Sequence, residues 1–139
     1  MKRLILAGVA ALVSGFTALP AHALCAAPKD INGTWYSDDG GTYYVRQVDG
    51  IIWWVGMSSD KGQTWTNVFR GQRKLDKVFG TWSDVPRNPN GKASSGELNL
   101  ALSISGTSVG GWKMTTMTGG FSGKNWFKRC GDNQALPAN

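Results

Sequence analysis

Ile51 to Gly71 read IIWWVGMSSDKGQTWTNVFRG. The first arm of this stretch alternates: Ile51, Trp53, Val55 and Met57 point one way, Ile52, Trp54 and Gly56 the other. That is the two-residue period of a strand. A polar turn, Ser58-Ser59-Asp60-Lys61-Gly62, interrupts it, and a second aromatic arm follows. Two apolar arms about a turn of this composition form a β-hairpin.

Outward from that hairpin the same texture repeats. Beyond the N-terminal segment no run of residues carries a helical period, and turn residues recur about every eight to twelve positions. The pattern predicts strands over 33–37, 41–48, 51–58, 64–71, 77–84, 96–104, 111–118 and 121–129. The sixth alternates most cleanly, with Leu98, Leu100, Leu102 and Ile104 facing in and Glu97, Asn99, Ala101 and Ser103 facing out. Short turns join most of these segments, and only the stretch after Trp82, with its loop PRNPNGKASSG over 86–96, is long. Eight antiparallel strands linked in sequence predict an all-β, up-and-down barrel, since closure removes exposed strand edges. At eight strands the interior holds side chains or one small ligand.

The first 23 residues read as a secretory signal. Lys2 and Arg3 precede an apolar run from Leu4 to Leu19, and Ala21-His22-Ala23 is a small-x-small cleavage site. Leu24 stands where a lipid-attachment motif needs a small residue, so lipidation at Cys25 is set aside. Residues 24–139 then form a single domain, exported to the periplasm or the medium, with no membrane span. Cleavage removes Lys2, Arg3 and the single histidine, His22, and leaves a net charge of about +4. Cys25 and Cys130, at opposite ends of what remains, read as a disulfide in an oxidising compartment. Closing so long a loop contributes about 4–5 kcal/mol in the chain-entropy model.

Three resemblances attach to particular residues. Ser58, Asp60, Gly62 and Trp65 spell S-x-D-x-G-x-x-W, which resembles the Asp box, a hairpin motif of sialidases and other β-propellers. In that motif Asp and Gly shape the turn and Trp packs beneath it, so the resemblance implies a structural role. One box and eight strands are far short of a propeller. Ile31-Asn32-Gly33-Thr34-Trp35-Tyr36 is similar to the G-x-W first strand of lipocalins and avidins. In lipocalins that tryptophan closes one barrel end beneath a late basic residue, which implies the pairing of Trp35 with Lys128 or Arg129; we take Arg129. Where avidins place Asn and Ser to hold biotin, this chain has Ser37, Asp38 and Asp39, and two carboxylates there oppose a carboxylate-tailed vitamin. The phrase running from YYVRQ at 43–47 through WWVG at 53–56 to the G-x-L-x-L of 96–100 is similar to a small bacterial family of secreted or appended domains. That family has no assigned activity, so the likeness implies a fold unit and nothing about chemistry.

Catalytic constellations are thin. Without histidine, a Ser-His-Asp triad and ordinary zinc sites are absent from the mature chain, and no EF-hand spacing occurs. Glu97 is the sole glutamate, and Asp38, Asp39, Asp60 and Asp84 lie in turns or at strand ends, where aspartate commonly serves the turn. The chain is therefore read as no enzyme, with neither metal nor cofactor. Arg70-Gly71-Gln72-Arg73-Lys74, on the turn between the fourth and fifth strands, is too small a basic cluster to mark a nucleic-acid binder and reads as a solvated loop or a contact with an anionic envelope surface. Binding fares better. Trp53 and Trp54 cannot both be interior, and the reading has Trp54 facing out or at a barrel mouth with Tyr44 and Arg46, joined by Trp65, Asn67 and Trp82. The expectation is an exported β-barrel that binds a glycan or a flat hydrophobic compound there. The alternative is an inhibitor or interaction module that grips an envelope or extracellular protein through surface loops.

Overall fold

The computed structural model describes residues 30–87, 90–105 and 108–129. Eight strands follow in order: β1 (Gly33–Ser37), β2 (Thr42–Val48), β3 (Ile51–Met57), β4 (Thr66–Lys74), β5 (Lys77–Asp84), β6 (Ser95–Ser105), β7 (Ser108–Met117) and β8 (Asn125–Phe127). Each pairs antiparallel with the next, and β1 pairs with β8, so the sheet closes into a barrel in sequence order. The all-β, eight-stranded closed barrel expected from the pattern is the fold. The signal segment and both cysteines, Cys25 and Cys130, lie outside the described residues.

Tight turns set the registers. Asp49 and Gly50 adopt φ of 50° and 76° and place Val48 opposite Ile51. Such a two-residue turn with both φ positive matches the twist of the strands it joins. Leu75 and Asp76 join β4 to β5 in another two-residue turn, with Leu75 at φ 56° and Lys74 opposite Lys77. β4 begins at Thr66 rather than Thr64, because the preceding turn takes Thr64 and Trp65 for itself. β8 is shorter than the expected 121–129, since Phe121 leaves strand geometry to insert into the interior.

The interior is aromatic. Trp35, Tyr43, Trp54, Phe69, Trp82, Trp112, Phe121 and Trp126 are all buried, packed with Ile52, Val78, Leu98 and Leu100. Trp54 stacks on Phe69 with ring centroids 4.2 Å apart, and meets Tyr43 at 5.4 Å and Trp126 at 5.6 Å. Glycine gives these rings room: a Cβ at Gly56 would lie 2.5 Å from the Tyr43 ring. Leu98, Leu100 and Leu102 face in as expected, but Ile104 is 42% exposed. The pairing with β7 shifts register between Ser103 and Ile104, which breaks the alternation and leaves Ile104 outside although its partner Val109 is buried.

Candidate functional site

The predicted binding residues divide between the two faces of the sheet. Tyr44 pairs with Val55 and Arg46 with Trp53, and paired residues share a face. Trp53, not Trp54, therefore stands outside with Tyr44 and Arg46. Trp54 is 2% exposed and Trp53 49%, so the outward placement of Trp54 is corrected by one residue. The cause is the two-residue Asp49-Gly50 turn, which opposes even-numbered positions of β2 to odd-numbered positions of β3.

Trp54, Asn67 and Trp82 come together inside, and their polar groups are already paired. The Trp54 indole N–H donates to Asn67 Oδ1 at 3.0 Å, and that of Trp82 donates to the Thr118 carbonyl at 3.0 Å. Trp65 lies half-buried against Tyr43, centroids 6.0 Å apart, over Gly41, where a Cβ would lie 2.5 Å from the indole. At this end of the barrel the turn carboxylates serve the fold. Asp39 accepts the Tyr43 hydroxyl at 2.5 Å and the Gly41 amide at 2.8 Å. Burial, reinforced by that carboxylate, pushes the Tyr43 hydroxyl far above its ordinary pKa. Asp38 accepts the amides of Lys124 and Asn125 and the Asn125 side chain, at 2.8, 3.2 and 2.7 Å, and so ties the first turn to the approach to β8. Partial burial works against its charge, but these donors outweigh it and hold the carboxyl at about 2.

Ser58, Asp60 and Gly62 close the β3–β4 turn. Asp60 takes the Ser58 hydroxyl, the Gln63 amide at 2.8 Å and the Thr64 hydroxyl at 2.6 Å, while Ser58 Oγ accepts the amides of Thr64 and Trp65. The Ser58 and Thr64 hydroxyls draw the Asp60 carboxyl well below its usual range. Gly62 adopts φ 77° at the turn's end. Across the opposite end, Lys128 Nζ sits 5.1 Å over the Trp35 ring and donates to the Asn32 carbonyl at 2.6 Å. Lys128 thus takes the place expected of Arg129, whose guanidinium stacks instead on Tyr36 at 3.7 Å.

Asp84 accepts the Ser94 amide at 3.0 Å across the neck of the long loop, and Glu97 points to solvent from β6. Among the described residues no three of His, Cys, Asp and Glu converge, and no helix is long and apolar enough to cross a membrane. A hollow of about 470 Å³ lies along β6, β7 and β8, lined among others by Trp112, Lys113, Asn125 and Trp126. The indole N–H groups of Trp112 and Trp126 are buried without a hydrogen-bond partner.

The outer wall of β2 to β5 is unlike an ordinary solvated face. Arg46, Trp53, Arg70 and Thr81 form one row across four strands, with the Arg70 guanidinium 5.3 Å over the Trp53 ring. Beside them lie the exposed rows Tyr44, Val55, Val68 and Val48, Phe79. Sequence reasoning placed Arg70 in a turn with Arg73. The structure puts it at mid-strand, while Arg73 turns back to Gln47 Oε1 at 3.0 Å. The alternation in 66–74 carried the signal for this split.

The class these features define is a closed, up-and-down eight-stranded barrel with an aromatic interior. No family model matches the chain, and neither a curated protein nor a solved structure matches it.

Proposed function

We propose that this chain is an exported, non-enzymatic interaction module that binds through the outer wall of its barrel. One observation carries the reading: Trp53 stands half-exposed on a sheet face between Arg46 and Arg70. Burying an indole ordinarily stabilises a fold by ~2 kcal/mol or more, so one left on a strand whose other face is fully packed is available to a partner. Roughly 400 Å² of wall surrounds it, taking strands ~4.8 Å apart and rows ~7 Å apart, a mixed surface on which exposed Tyr44, Val48, Val55, Val68 and Phe79 stand among Arg46, Arg70 and Thr81.

A small ligand at the barrel mouth draws less support. Of the rings expected there, Trp54, Trp65 and Trp82 pack against Tyr43 and Phe121 of the interior, Tyr44 stands outside, and the Trp54 and Trp82 N–H groups already have acceptors. Native mass spectrometry on protein purified gently from its own host tests the choice. A co-eluting protein that is lost on Trp53→Ser is the expected result. A stoichiometric small adduct that survives Trp53→Ser would return the reading to the interior.

A further inference from the structure

We infer that the wall centred on Trp53 is built for an acidic protein segment, one that presents an apolar side chain between two carboxylates. This rests on the wall being the binding surface and goes on to name the chemistry of what it binds. Outward positions of β2 to β5 carry Arg46, Arg70, Lys74 and Lys77 and no acidic residue at all. Among the described residues the single ion pair joins Lys77 to Asp76 at 3.2 Å, at the far tip of the β4–β5 hairpin. Glu97 lies further along the same row, opposite Thr81, which is itself opposite Arg70. Neither Arg46 nor Arg70 forms an ion pair with a carboxylate among the described residues.

The row geometry makes the demand specific. Arg46 and Arg70 flank Trp53 on adjacent strands, so their backbones stand about 10 Å apart, two strand spacings. The Arg70 guanidinium lies over part of the Trp53 ring, so an apolar group laid on the rest of the indole would bring flanking carboxylates toward both guanidiniums, whose planar donor forks match carboxylates bidentately. Trp, Tyr and Arg are also the residues that dominate the energy of protein interfaces, where Lys is depleted. The aliphatic row Val55 and Val68 continues the apolar surface, which fits a polypeptide better than a sugar polymer. The pair sits at mid-wall rather than at a protruding tip, which fits a docked segment better than a lipid surface. A second copy of the same wall is disfavoured because it would oppose arginine to arginine.

The test is selection of a random-sequence peptide display library on the immobilised barrel, with phosphatidylglycerol–phosphatidylcholine vesicles as a parallel probe. The expected binders carry Asp or Glu on both sides of an aromatic or aliphatic residue. A synthetic peptide of that kind should lose tenfold or more in affinity on Trp53→Ser and on the double change Arg46→Gln, Arg70→Gln. Unchanged denaturation midpoints in these variants of exposed residues would show that folding is intact. Binders that need Trp53 but are neutral and indifferent to the arginine changes would overturn the acidic chemistry and leave the wall as the binding surface. Binders indifferent to all three residues would overturn both. Binding to the anionic vesicles alone, or to neither probe, would also overturn the inference.

Discussion

Replacing Trp54 by alanine removes an indole stacked on Phe69 and hydrogen-bonded to Asn67, and is expected to cost about 3–5 kcal/mol in urea denaturation. The same change at Trp53 should shift stability by no more than about 1 kcal/mol, the worth of an exposed cation–π contact. A like contrast holds at the barrel's other end. Lys128→Ala loses both the contact over Trp35 and a charged hydrogen bond to Asn32, about 1–3 kcal/mol together, whereas Arg129→Ala loses an exposed stack worth about 0.5–1 kcal/mol. That a late basic residue would cover the first-strand tryptophan was legible in the sequence. Which residue does so was not, because it depends on where β8 ends.

Asp38 links residue chemistry to pH. Its carboxyl ordinarily titrates at 3.8 and is held at about 2 in the fold. Its contribution to stability is therefore fully present above about pH 4 and is lost as pH falls through 2. Urea midpoints measured from pH 5 to pH 2 should fall for the native chain and fall less steeply for Asp38→Asn, which starts lower. At the element scale the β3–β4 turn behaves similarly. Asp60→Ala removes the acceptor of the Gln63 and Thr64 amides, so amide exchange at Gln63 and Thr64 should quicken several-fold while β3 and β4 stay protected. The turn was legible because its Ser, Asp and Gly are turn residues at fixed offsets. The pairing of β2 with β3 was legible too, since Asp49-Gly50 is a two-residue turn that dictates the register. Reading Trp54 as exterior overlooked that constraint. The extent of β8 was not legible, because the contacts that draw Phe121 inward come from β3 and β5 and no local period announces them.

For the whole molecule, alternation and turn spacing carried the barrel, because every strand pairing but the β1–β8 closure joins neighbours in sequence. The outer wall proposed to bind was harder to read: rings that fill a core and rings that stand on a wall are the same residue types, and only register separates them. Closure depends on a slight element. β8 holds β1 through Tyr36–Phe127 and Ser37–Trp126, and holds β7 through two pairs more. A chain cut after Gly120 should lose its cooperative transition and aggregate, which light scattering during refolding would show. The Asp38 clamp to Lys124 spans 86 residues, while each other strand meets its partner across a hairpin. As the polypeptide leaves the ribosome, its hairpins can zip up one after another, but the ring cannot shut until the last strand has emerged. Until then the growing sheet has two live edges, so the time spent between the seventh strand and the eighth is when this protein most needs shielding from its own kind.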